Sequence, residues 1–315
     1  MPWVLDETMI KLPLAERDTP SAMPRRQLPT RYLGLLLVLL LALGGCSATR
    51  LAYDRLDFFI QLYAADYIDL EAEQEAVWEP VLAAEHERHR AEELPYLAAY
   101  LEEMLVASQR GFDQENMSCL LGSLDALYRR QAGYGVNLAV PLLVALSSAQ
   151  VQTLEARFRE RTAEDLDEAS AAVTPAGREK LARRYLETIE DWTGPLDPGQ
   201  QAVVTAIVGR MPQSRQAFIA YRDQKRAELV KLLGARAGEA QLRAFLTAWL
   251  VEFQDLPPEL AQARREMRAR VTELFIELGQ RLDTSQRRHL QDRLRDLRDD
   301  LMQLQRQPRM AALTC

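Results

Sequence analysis

Leu282-Asp283-Thr284-Ser285-Gln286 has the composition of a helix start, and the chain carries three more segments of the same form. They are Leu70-Glu71-Ala72-Glu73-Gln74, Leu146-Ser147-Ser148-Ala149-Gln150 and Leu196-Asp197-Pro198-Gly199-Gln200. In the segments ending at Gln150, Gln200 and Gln286, a Ser or Asp follows the Leu and can serve as N-cap, which puts the Gln at N3. That is a capping box: the cap side chain accepts from the N3 amide while the Gln side chain reaches back to the cap N–H. The Leu at N′, with Leu154, Val204 or Leu290 beyond the Gln, completes a hydrophobic staple or a close variant. The segment at Gln74 has Glu71 at the cap position, so Asp69 is expected to cap instead. Gln74, Gln150, Gln200 and Gln286 are therefore candidate capping or binding residues. Their separations of 76, 50 and 86 residues are too uneven for a solenoid.

Outward from these starts, helical spacing predicts stretches at 95–110, 114–131, 148–172, 176–192, 198–211, 214–234, 238–254, 258–281 and 285–306. Turn signals separate them: Gly133-Tyr134-Gly135, Thr174-Pro175, Gly194-Pro195, Met211-Pro212 and Leu256-Pro257-Pro258. Pro80 predicts a kink or break in the helix that begins near Gln74. With no alternating Val/Ile/Thr runs, the expectation is an all-α protein, a multi-helix bundle of about ten helices. The Gly194–Gly199 cluster divides it into expected helical subdomains at 46–193 and 194–315.

The amino-terminal region carries targeting chemistry. Arg25, Arg26 and Arg31 precede the twelve-residue apolar run Tyr32–Leu43, which suits a signal peptide and is too short for a membrane span of about 20 residues. Leu43-Gly44-Gly45-Cys46 then matches the bacterial lipobox. Leu43, Gly44 and Gly45 fit the signal-peptidase site, and the Cys46 thiol takes the diacylglyceryl group. The mature chain is thus expected to start at Cys46 with covalent diacylglycerol and N-acyl lipid and no other cofactor. Two or more acyl chains anchor stably. Ser47, rather than Asp, directs such a lipoprotein to the outer membrane, with its body facing the periplasm. Asp6, Glu7, Glu16 and Asp18 do not fit a signal peptide, so residues 1–22 are expected to be a mis-called extension and Met23 the start of the leader at 23–45.

The net charge of −7 argues against a nucleic-acid partner. From Ser47 to Leu105 there are 14 acidic residues against 4 Arg; from Glu259 to Arg309, 9 against 12. These ends either pair within one bundle or form solvated faces of opposite sign. Leu51, Leu56, Phe59, Leu62 and Tyr63 make the first mature segment amphipathic. Cys119 stands among Met117, Leu120, Leu121 and Leu124, where a buried free thiol is expected rather than pairing with Cys315.

Catalytic motifs are scarce. His86-Glu87-Arg88-His89 has i,i+3 spacing where zinc proteases need His-Glu-x-x-His, so no metal site is expected. A polar face is expected instead, with Glu85 and Glu93 both i,i+4 from His89. No Gly-rich phosphate loop, Gly-x-Ser-x-Gly elbow or Cys-x-x-Cys pair occurs. The competing enzyme class is a peptidoglycan-active enzyme of helical lytic-transglycosylase type. Its catalytic Glu is usually followed by Ser, and the chain contains no Glu-Ser dipeptide.

Two resemblances follow from these residues. The Leu-x-x-x-Gln segments resemble the Leu-Thr-x-x-Gln repeats of small periplasmic chaperones of the envelope-stress type. Asp66-Tyr67-Ile68-Asp69-Leu70 with Gln74, His89-Arg90-Ala91-Glu92-Glu93-Leu94-Pro95, Leu154-Glu155-Ala156-Arg157-Phe158 and Trp192 with Gln200 resemble a helical lipoprotein family known as domain of unknown function 6279, across nearly all of the mature chain. That resemblance implies fold and anchoring, with no assigned activity. The expected role is non-catalytic: a lipid-anchored body that binds an envelope protein or an unfolded chain.

Overall fold

The boxes at Ser147, Asp197 and Asp283 form as the spacing requires. Ser147 Oγ accepts from Gln150 N–H at 3.2 Å, and Asp197 and Asp283 Oδ1 accept from Gln200 and Gln286 N–H at 2.9 and 2.8 Å. The computed structural model describes residues 48–313, all helices, turns and loops, with no strand among them. The helices are α1 (Ala48–Asp54), α2 (Leu56–Ala65), α3 (Ala72–Glu92), α4 (Leu94–Arg110), α5 (Gln114–Val144) and α6 (Ser148–Ala172). They continue as α7 (Pro175–Thr193), α8 (Pro198–Val208), α9 (Arg215–Gly234), α10 (Glu239–Leu246), a π-helical turn (Thr247–Val251), α11 (Pro258–Arg281) and α12 (Thr284–Leu304).

Several local expectations are corrected. Asp69 does not cap α3. Glu71 takes the cap position and its N–H donates to Gln74 Oε1 at 3.0 Å, while the Asp69 carboxylate pairs with Arg157 at 2.8 Å. Gly133-Tyr134-Gly135 is not a turn, because α5 runs through it and through Pro141 for 31 residues. Tyr134, Val136 and Val140 are buried there, and tertiary burial outweighs a glycine penalty of about 1 kcal/mol each. Pro80 likewise lies inside α3 without breaking it. The stretch expected at 238–254 is helical only to Leu246. It widens into the π-helical turn and ends where Phe253 and Asp255 take positive φ of 53° and 60°.

Burial separates two cores, both drawing on residues before and after Gly194. The first joins Leu94, Leu101 and Leu105 of α4 with Met117, Leu120 and Leu121 of α5, Val204 and Ile207 of α8, Leu274 and Leu278 of α11, and Leu290 and Leu294 of α12. The second joins Trp78 and Leu82 of α3 with Val136 and Val140 of α5, Val151 and Leu154 of α6, Leu229 and Leu233 of α9, and Leu242 and Leu246 of α10. Helix α5 serves both. Leu121 and Val136 are fifteen residues, or about 22 Å, apart along it. Trp78 is fully packed, and its indole N–H donates to Leu138 O at 2.9 Å.

The two ends of the chain do pair. Arg306 meets Glu87 at 3.0 Å, Arg298 meets Glu102, and Arg50 meets Asp300 at 3.2 Å. The first of these is well exposed, so it contributes little stability. Cys119 is half-buried on the flank of α5 and is disulfide-bonded, which corrects the expected buried free thiol. Its partner lies outside the described residues.

Close approach makes glycine necessary at Gly177, where a Cβ would collide with Ala171 O, and at Gly279. A Cβ on Gly279 would sit 2.8 Å from Cδ2 of Phe112, a buried ring packed edge-on against Phe275. Gly122 in α5 has open space around it. Gly122→Ala should therefore raise stability by about 0.5–1 kcal/mol. Gly279→Ala should lower it by about 1 kcal/mol, overpacking outweighing helix preference. Urea unfolding of both variants checks the opposite signs.

Candidate functional site

The four sequence-predicted glutamines come together in two pairs. Gln74 faces Gln150, and Gln200 faces Gln286. Within the first pair each amide donates to the other's Oε1, at 3.0 and 2.6 Å; within the second the distances are 2.7 and 2.9 Å. The second N–H of every glutamine reaches the carbonyl five residues before its partner. Gln74 donates to Ala145 O, Gln150 to Asp69 O, Gln200 to Arg281 O and Gln286 to Pro195 O, at 2.6–2.8 Å. Each Oε1 also accepts from its own cap N–H, of Glu71, Ser147, Asp197 or Asp283. A carboxamide donates twice and accepts twice, so all four amides are saturated within the fold. The pairs follow one near-twofold pattern. The Gln74–Gln150 pair closes the second core beside Leu146, and the Gln200–Gln286 pair closes the first beside Leu196 and Leu282.

A second polar constellation lies where α3 meets α4. Glu93 is 0% exposed, yet it stands at the helix junction. Arg130 of α5 holds it in a two-pronged pair, with Nε 2.8 Å from Oε2 and Nη2 2.5 Å from Oε1. That guanidinium also stacks 4.0 Å over Tyr96. Gln131 Nε2 donates to Glu93 at 3.2 Å, and this turns its Oε1 toward His89 Nε2, 2.6 Å away. An amide oxygen only accepts, so His89 Nε2 carries the proton and Nδ1 accepts from Tyr53 O–H at 2.8 Å. The order Tyr53, His89, Gln131, Glu93, Arg130 thus runs from α1 through α3 and α5 to the junction between the cores. Burial pushes the His89 imidazole below its ordinary pKa, and His86 shifts the same way. The expected salt-bridging of His89 by Glu85 and Glu93 does not occur. Glu85 takes Arg88 at 2.8 Å, and Glu93 takes Arg130.

Sequence reasoning singled out His89 and Glu93 but missed Tyr53, Arg130 and Gln131. The available signal was Glu93 itself, an acid inside a helix-to-helix junction followed by Leu94-Pro95. Among the described residues, no three His, Cys, Asp or Glu side chains converge as a metal would require. The carboxylates with displaced pKa are Glu87, pulled down by its Arg306 hydrogen bond, and Glu228, where desolvation is outweighed by hydrogen bonds from Lys225 and Gln224. A shallow groove of about 540 Å³ opens between α7 and α8, lined by Leu181, Ala182, Leu186 and Val208 together with the charged Arg178, Glu179 and Arg183. The expected lipidation, cleavage and sorting residues Leu43, Gly44, Gly45, Cys46 and Ser47 lie outside the described residues.

The sequence model of a family of unknown function, DUF6279, matches residues 66–258, more than half of the chain. The chain belongs to this family. The match takes in Gln74, Gln150, Gln200 and the Glu93 constellation apart from Tyr53, and ends at Pro258, the first residue of α11, so Gln286 and helix α12 lie beyond it. It is narrower than the sequence resemblance implied. No curated protein and no solved structure matches the chain.

Two outcomes follow from the family member's geometry. Gln286→Ala strands the Pro195 carbonyl and the Asp283 N–H, and should cost about 2–4 kcal/mol of unfolding free energy. In a double-mutant cycle with Gln200→Ala the coupling should exceed ~1 kcal/mol, and strictly additive losses would deny the pairing. Unfolded histidines bind protons below about pH 6.5, whereas the buried rings resist them. Stability should therefore fall as pH drops from 7 to 5, and the double variant His86→Gln/His89→Gln should flatten that slope.

Proposed function

We propose that this chain is a lipid-anchored outer-membrane lipoprotein facing the periplasm, with a non-catalytic, chaperone-like or adaptor role toward another envelope protein. The observation that carries the anchoring is Leu43-Gly44-Gly45-Cys46 directly after an arginine-flanked apolar run. A disulfide at Cys119 suits an oxidising compartment, and no described helix is long and apolar enough to cross a membrane.

Binding is favoured over catalysis by the character of the concave surface. The α7–α8 groove is largely apolar, with Arg178, Glu179 and Arg183 among its charged lining and no buried carboxylate aimed into it. That suits an extended or partly unfolded chain with acidic side chains better than a glycosidic bond, which needs a proton donor of raised pKa. The glutamines take no part in client contact on this reading, since their amides are occupied. Client binding falls to exposed apolar surface.

Cys46→Ser should block labelling of the protein by palmitate in cells and leave full-length precursor, and normal labelling of that variant contradicts the anchor. Soluble 47–315 should suppress aggregation of a reduced client protein, read by light scattering. Leu186→Glu in the groove should weaken the suppression several-fold. No suppression by the unsubstituted protein at molar excess removes the chaperone reading.

A further inference from the structure

Helices α1 and α2 are apolar on two opposite sides. A break at Arg55 (φ −111°, ψ 16°) separates them, bridged by backbone bonds from Arg55 N–H to Ala52 O and from Phe59 N–H to Arg55 O, both 3.2 Å. The inner side is used by the fold. Tyr53 packs against the first core and bonds His89, while Ile60, Ala64 and Tyr67 pack against the second. Among the described residues the outer side is uncovered. Leu51, Phe58 and Leu62 are 64%, 56% and 43% exposed, with Tyr63 beside them at 58%. Phe58 and Leu62 are one turn apart on α2 and form a stripe, to which α1 adds exposed Leu51. Large apolar side chains left facing water contribute nothing to folding, and grouped together they mark a contact surface.

We propose that this stripe rests in the surface of a phospholipid bilayer, as a second, non-covalent contact beside the lipid anchor. The inference depends on the anchoring of Cys46. Ala48 opens α1 two residues after Cys46, and two residues span at most about 7 Å. An acylated Cys46 therefore holds α1 at the headgroup level whatever the body does. Arg50 and Arg55 balance Asp54 and Asp57 within 48–65, so anionic lipid does not repel the segment. Apolar faces of interfacial helices enter about 5–10 Å into the headgroup–acyl boundary. Lying flat, α1–α2 would present their inner side, and through Tyr53 and His89 the junction of the two cores, toward the periplasm at a fixed angle.

The test places tryptophan on the stripe. Full-length lipidated protein carrying Phe58→Trp or Val173→Trp is reconstituted into vesicles of brominated phosphatidylethanolamine and phosphatidylglycerol. Val173 is 45% exposed at the far end of α6. Quenching at position 58, read as the difference from the unsubstituted protein, should be at least about twice that at position 173, given the depth of insertion. Equal quenching at the two positions overturns the proposal, and if Leu62→Cys then yields a disulfide-linked dimer, the stripe belongs to a second copy. Palmitate labelling of the unsubstituted protein judges the anchor separately. If it takes no palmitate, the anchoring reading fails. The same comparison made with the unlipidated chain then decides the stripe: preferential quenching at 58 supports lipid contact without an anchor, and its absence removes it.

Discussion

The reciprocal glutamine pair is the constraint on which the rest of the structure depends. A capping glutamine ordinarily uses one of its four hydrogen bonds on its own helix and leaves the other three to water. Here those three are made with a second helix start, 76 residues away in one pair and 86 in the other. Because Gln200 and Gln286 are buried, each unmet group would cost its full desolvation penalty, and the arrangement tolerates no slippage of one helix start against the other. Each pair therefore sets the register of the helices that enclose one core, and the leucine four residues before each glutamine carries that register into the apolar interior.

Between the two cores the fold uses a different device. Glu93 has no apolar substitute that could also receive Arg130, Gln131 and, through it, His89. Its carboxylate fixes the α3–α4 junction against the middle of α5. A buried ion pair is a poor source of net stability compared with packed apolar groups, but removing one partner is costly, so it specifies geometry. The neutral His89 ring extends that specification to Tyr53 and hence to α1, tying the segment beside the proposed anchor to the centre of the body.

Much of this was legible from residue types alone. The capping boxes at Ser147, Asp197 and Asp283 were readable because their chemistry is local, and the helices they open follow. What local chemistry could not supply was which glutamine meets which, since near-identical segments give no preference until the cores choose. Glu71 was passed over as a cap in favour of Asp69 for a related reason: the backbone N–H of any residue can donate to Gln74, so the position needs no special side chain. Gly133 to Gly135 and Pro80 misled because burial of Tyr134, Val136, Trp78 and Leu82 overrode propensity. The Glu93 constellation was only half visible, its partners Tyr53 and Arg130 lying 40 residues before and 37 after it in the chain.

The saturation of the glutamines decides how this chain's repeated segments are understood, as clasps within the fold rather than hooks for a ligand. Hydrogen exchange of side-chain carboxamide protons, followed by nuclear magnetic resonance on folded protein, addresses this most directly. The Nε2 protons of Gln150, Gln200 and Gln286 should exchange at least ~100-fold more slowly than those of exposed Gln152, since opening them requires breaking a buried network. Exchange at the rate of Gln152 would mean that the amides are open to solvent and free to bind, and the clasp would be refuted.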